Sequence, residues 1–158
     1  MNPNPKPPNP RPARPDETKA LSELALRSKG SWGYDEVFLE ACREELTLTP
    51  ETLEQHPTFV VEDSAELAGF YTLEPHEEQG VVELGMLYVE PRCHGQGIGR
   101  KLMEHALGEA TRRGFRTLEV QADPYAAPFY LRMGCTPCGS RPSGSIAGRR
   151  LPLLRIDL

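Results

Sequence analysis

The segment EPRCHGQGIGRKLM, residues 90–103, sets glycines at positions 95, 97 and 99 between an apolar run and a helical pattern. Glycines at alternate positions build no helix and bury no side chain, so this backbone is shaped for close approach. Downstream, Ile98, Leu102, Met103, Ala106, Leu107 and Ala110 form one helical stripe, which Gly114 closes. Upstream, Val81–Val89 reads as a strand. A strand, a glycine turn and a helix N-terminus together offer unpartnered N–H groups and a favourable dipole to an anion such as phosphate. Two phosphate loops fail on spacing. The dinucleotide fingerprint needs a third glycine at position 100, which is Arg, and the P-loop needs Gly-Lys where this chain has Gly99-Arg100. A tight turn that holds no ligand would need fewer glycines.

Working outward, Arg11–Arg14 reads as a short edge strand, and Asp16 is placed to cap a helix carrying Leu21, Leu24 and Ala25 and ending near Gly30. A second helix follows Asp35, with Phe38, Ala41 and Cys42 at helical spacing, and Thr49-Pro50 opens a third. Thr58–Val61 and Leu67–Leu73 are strands split by a turn at Asp63-Ser64. Arg116–Gln121 is a further strand, Asp123-Pro124 starts a short helix to Met133, and two strands finish the chain. The expectation is one α+β domain over 11–158 with a mixed sheet, behind a disordered Pro/Asn-rich tail over 1–10.

The 158 residues suit a single domain, and the net charge of −5 without a Lys/Arg cluster argues against a nucleic-acid partner. No apolar run reaches membrane-spanning length and no signal-peptide core opens the chain, so a cytoplasmic protein with no membrane partner is expected. Cys135 and Cys138 form a CxxC with no second pair to complete a metal site. Together with Cys42 and Cys93 they read as free, reduced thiols, and no metal is expected.

ELGMLYVEPRCHGQGIGRKLMEHAL, residues 83–107, resembles the acetyl-CoA-binding motif of the GNAT superfamily of N-acetyltransferases. That motif runs Gln or Arg, two residues, Gly, one residue, Gly or Ala. His94, Gly97 and Gly99 take those places, with His departing from the first. YAAPFYLRMG, residues 125–134, is similar to a second family segment through Ala126, Phe129, Tyr130 and Gly134. Asp123 stands where many members carry Asn, and Cys135 where they usually carry Phe. SKGSWGY, residues 28–34, and the C-terminal PSGSIAGRRLP look like a bacterial subgroup.

The resemblance implies an α/β fold with a central, mostly antiparallel sheet, a parallel strand pair that splays apart, and flanking helices. It implies acetyl-CoA as co-substrate, with pantetheine on the backbone of Leu87, Tyr88 and Val89. Pyrophosphate would lie on the amides of Gly95, Gln96, Gly97, Ile98, Gly99 and Arg100, beside His94. An amine would attack the thioester directly, the Leu87 amide would stabilise the oxyanion, and Tyr130 would protonate the departing thiolate. The alternative for Tyr130 is packing beside Phe129.

Glu83 stands where some members carry a catalytic Glu, and strand alternation would put Glu83, Gly85 and Leu87 on one face. A lysine-like amine costs roughly 4–5 kcal/mol to deprotonate at pH 7 against about 1 for an α-amine, so an alkylamine would lean on such a base. The alternative for Glu83 is a solvated strand residue. Trp32 and Tyr34 lie on the loop between the first two helices, Trp32 as core anchor or substrate platform. Ser145 and Arg149 would bind an acceptor carboxylate or pin the last hairpin. The leading expectation is N-acetylation of a small-molecule amine. Acetylation of a protein N-terminus or lysine and non-catalytic sensing of acyl-CoA are the alternatives, with a homodimer open because many members form one.

Overall fold

The computed structural model describes residues 7–158. The first six residues of the expected tail lie outside the described residues, and residues 7–10 hold no regular structure. Among the described residues, seven strands form one sheet in the order β1-β2-β3-β4-β5-β7-β6. In chain order β1 is Arg11–Pro12, α1 Thr18–Gly30, α2 Glu36–Cys42, α3 Pro50–Gln55, β2 Thr58–Asp63, β3 Glu66–Pro75 and β4 Val81–Val89. α4 is Ile98–Arg112, β5 Thr117–Gln121, α5 Ala127–Arg132, β6 Thr136–Pro142 and β7 Arg150–Asp157. All neighbours run antiparallel except β4 and β5. The edge strand β1 is shorter than expected, because only Arg11 and Pro12 pair with β2.

Local chemistry explains most of these elements. Thr49 accepts from the Thr52 amide at the head of α3, and Pro50 loses no needed donor in that first turn. Asp35 caps α2 by accepting from the Phe38 amide at 2.8 Å. The expected cap at Asp16 is corrected. A 3-10 turn over Pro15–Glu17 precedes α1, and the Asp16 carboxylate instead accepts from the exposed Arg14 guanidinium. Ser64 and Ala65 turn the β2–β3 hairpin with φ of 53° and 66°, the left-handed geometry that suits strand twist.

Two apolar layers cover the sheet. On one face α4 inserts Leu102, Met103, Ala106 and Ala110 against Tyr71, Leu84, Leu118, Val120 and Leu154. Each fully buried Leu or Met there contributes roughly 1.5–3 kcal/mol. On the other face α1 and α2 pack Leu21, Leu24, Ala25 and Cys42 on Val60 and Phe70. That second layer gives way near β5 to buried charge. Glu119, 2% exposed, accepts from Arg155 at 2.7 Å and Arg141 at 2.8 Å and faces His76 at 3.0 Å. Among the described residues no helix is long and apolar enough to cross a membrane.

Candidate active site

The parallel pairing of β4 with β5 runs only from Val81↔Thr117 to Glu83↔Glu119. β4 continues to Val89 with its β5-facing edge open, so backbone amides and carbonyls from Leu84 onward line a cleft of about 590 Å³. The cleft ends at the loop between β4 and α4. Gly97 caps α4 with φ +82° and Gly95 has φ +80°, and a Cβ on either would meet nothing within 4 Å. Both glycines thus permit the turn and leave open space above it. The first helical bond runs from the Lys101 amide to the Gly97 carbonyl, so the N–H groups of Ile98, Gly99 and Arg100 have no intrahelical partner. An open strand edge for an extended amide chain and a glycine-capped helix end for a diphosphate fit the two halves of an acyl-CoA.

Side chains refine this picture. His94 Nε2–H donates to the Val89 carbonyl at 3.0 Å, pinning the loop to the strand end rather than reaching over the glycines. Arg100 pairs with Glu104 at 3.0 Å, with both side chains largely exposed. Tyr130 is 5% exposed and packs edge-on to Phe129, yet it also lines the cleft. Among the described residues its hydroxyl has no hydrogen-bond partner, and no fully buried side-chain polar atom lacks one. Burial pushes the phenol well above its ordinary value, with Cys135 adding to the rise, so Tyr130 stays protonated as a proton donor must.

A second cavity of about 170 Å³ lies on the α1 side of the sheet. Glu45, Glu74, Glu83, Asp123, Lys29, Ser145 and Arg149 contribute to its lining, while Lys29, Gly85, Met86, Tyr88, Gln121 and Asp123 line both cavities. The geometry of β4 makes this shared wall. Leu73 pairs with Leu84 but Thr72 with Met86, so Gly85 is a bulged extra residue. The expected single face for Glu83, Gly85 and Leu87 is therefore corrected. Leu84, Leu87 and Val89 pack on the α4 side, whereas Met86 and Tyr88 pack on the α1 side, with Glu83 opening into the smaller cavity. Burial raises the Glu83 pKa, Arg141 at 3.5 Å opposes it, and Glu74 and Glu119 add to the rise.

The remaining candidates form a knot at the mouth. Lys29 Nζ lies 3.1 Å from Asp123 Oδ2, Tyr34 donates to the same oxygen at 2.9 Å, and Arg149 donates to the Tyr34 hydroxyl at 2.6 Å. Arg149 also stands over the Tyr34 and Phe38 rings, which stack at 4.0 Å. Its guanidinium is thus engaged with Asp123 and Tyr34. Ser145 donates to Glu45 at 2.7 Å. Trp32 is no core anchor: it is 40% exposed and stacks on Tyr125 at 5.6 Å along the cleft rim. Sequence reasoning missed Lys29, Glu74 and Tyr125. Gly85 alone carried a readable signal, since an isolated glycine inside a strand marks a bulge. Cys42, Cys93 and Cys135 are buried and Cys138 exposed, all four unbridged, and no cluster among the described residues could hold a metal.

A cleft that offers main-chain pairing, an anion-binding helix end and a protonated phenol defines a coenzyme A-dependent acyltransferase. Residues 19–135 match the Acetyltransferase (GNAT) family, and the chain belongs to it. It is an N-acetyltransferase with acetyl-CoA as its acyl donor. A relative from Salmonella typhimurium, peptidyl-lysine N-acetyltransferase YjaB, is 34% identical over 118 residues, covering 73% of this chain and 75% of that protein. The fold is shared with a GCN5-related N-acetyltransferase from Rhodopseudomonas palustris, with a TM-score of 0.80, 21% identity and coverage of 100% and 99% of the two chains. It is shared too with PaiA N-acetyltransferase from Thermoplasma acidophilum, solved in complex with coenzyme A, with a TM-score of 0.75, 18% identity and coverage of 95% and 98%.

Proposed function

We propose that this chain is a cytoplasmic enzyme that transfers the acetyl group of acetyl-CoA to a primary amine of a small molecule, by direct attack in a ternary complex. One observation carries the reading: the acidic cavity and the donor cleft share a wall at Gly85, Met86 and Tyr88. An ammonium drawn into the acidic side lies one strand's thickness from the open edge of β4. Bound acetyl-CoA supplies an activated acyl carbon and a thiolate leaving group. Glu83 takes the proton that the amine must lose, and the raised pKa keeps it a stronger base than an ordinary carboxylate. The Leu87 N–H donates to the acyl oxygen as charge gathers there. Tyr130 gives its hydroxyl proton to the departing sulfur.

The similarity to a peptidyl-lysine N-acetyltransferase favours a second reading, in which a lysine side chain of a protein enters the same cavity. Release of free CoA, measured with a panel of small primary amines and with lysine-containing peptides, separates the two. The proposal expects kcat/KM for the best free amine to exceed that for any peptide by at least about tenfold, or 1.4 kcal/mol. The reverse order moves the acceptor to protein, and no turnover of either class defeats both readings.

A further inference from the structure

Glu74 has no part in the chemistry described so far, yet its carboxylate holds a singular place. It stands near the end of β3, paired across the ladder with Glu83. A Cβ on Gly85 would fall 1.4 Å from Glu74 Oε2, so this carboxylate fills the volume that any other residue at 85 would claim. The bulge glycine is what makes room for it. Thr72 Oγ1, on a residue 1% exposed, donates to the same Oε2 at 2.8 Å and fixes the carboxylate there. Glu74 lines only the smaller cavity, but Gly85 directly beneath it lines both. The Glu74 carboxylate therefore rests on the wall that separates acceptor from donor.

Its partners set it apart from Asp123 and Glu83, and its partial burial sets it apart from Glu45, which is exposed and held by the Ser145 hydroxyl. Asp123 is matched by Lys29 and Arg149, and Glu83 faces Arg141. Among the described residues, Glu74 is held by the uncharged Thr72 hydroxyl. An ionised carboxylate accepts up to about four hydrogen bonds, so one hydroxyl leaves most of its capacity open to the cavity. A cation entering there recovers what partial desolvation of the acid costs.

We infer that Glu74 is a specificity-determining residue that binds the ammonium of the acceptor against the Gly85 wall and aims its nitrogen at the donor cleft. The inference rests on the amine-transfer reading above and deepens it. Two carboxylates paired across neighbouring strands divide the work: Glu74 holds the cation, and Glu83 accepts the proton as the N–C bond forms and the C–S bond breaks. The favoured acceptors are compact primary alkylammonium ions, and a carboxylate beside the amine is repelled.

Calorimetric titration of butylammonium chloride into the CoA-saturated protein tests this, run beside acetylation of butylamine. Glu74→Gln should weaken butylammonium binding at least about tenfold. Gly85→Ala should do the same by evicting the carboxylate while keeping its charge. Glu83→Gln should bind within about threefold of wild type but lose turnover. Wild-type binding by Glu74→Gln overturns the inference, as does an equal loss in Glu83→Gln or no binding by the wild type. Binding that depends on Glu74 without any acetylation would leave the inference standing and defeat the amine-transfer reading instead.

Discussion

The two cavities meet at one wall but are made of different material. The larger cleft presents main chain along one side, at the open edge of β4, the Gly95–Gly99 loop and the first amides of α4, facing side chains such as Phe129 and Tyr130. The smaller cavity draws side chains from distant places, Lys29 from α1, Glu74 from β3, Glu83 from β4 and Arg149 from the segment before β7. Main chain is common to every sequence that adopts this fold, whereas side chains vary freely. On the proposed reading, the fold sets the donor and this particular chain sets the acceptor.

That contrast can be broken at its joint, on its donor side or on its acceptor side. Tyr130→Phe strikes the joint and has the largest effect, lowering kcat by about 100-fold while the acetyl-CoA Kd stays within about twofold. Steady-state rates beside calorimetry read both, and an unchanged kcat would remove Tyr130 as the acid. Gly97→Val strikes the donor side alone. A β-branched residue at φ +82° is strained and fills the open space above the loop, so acetyl-CoA binding should weaken roughly 30-fold, or about 2 kcal/mol. If affinity survives, the helix end does not hold the diphosphate.

The smallest effect lies on the acceptor side. In the proposed mechanism Glu83 works ionised, so the rate should fall as pH drops through its pKa, which burial raises. Arg141 favours the charged form, so Arg141→Ala should move that acid limb to still higher pH. A pH profile of kcat/KM with an alkylamine measures it. A limb that stays put or moves down would separate Arg141 from the base.

The same division governs what the sequence reveals. Val81–Val89 and the stripe from Ile98 to Ala110 are legible because strand and helix periods are local, and the glycine run reports a backbone need directly. The knot of Lys29, Tyr34, Asp123 and Arg149 joins residues 89 to 115 positions apart, and no local pattern encodes that. Trp32 misleads for the same reason. A lone tryptophan reads as a core residue, but its stacking partner Tyr125 arrives from the loop between β5 and α5, distant in sequence, at the rim of the cleft. Glu83 is readable as a position, yet its face is not, because the bulge that sets it depends on how β3 pairs with β4.

The bulge at Gly85 carries one more consequence. A strand has only two phases, and one inserted residue inverts the phase of everything after it. The bulge absorbs that slip here: Gly85 is left without a partner, and Leu84, Met86, Leu87 and Tyr88 keep the faces of Leu73, Thr72, Tyr71 and Phe70 opposite them. Removing it would shorten the chain by a single residue and leave Leu84, Met86, Leu87 and Tyr88 on their present faces, because Leu73, Thr72, Tyr71 and Phe70 remain their partners; what would go is the position without a side chain against which the Glu74 carboxylate rests. One residue without a side chain thus turns a plain strand into a seat for a single carboxylate, and does so without disturbing its neighbours.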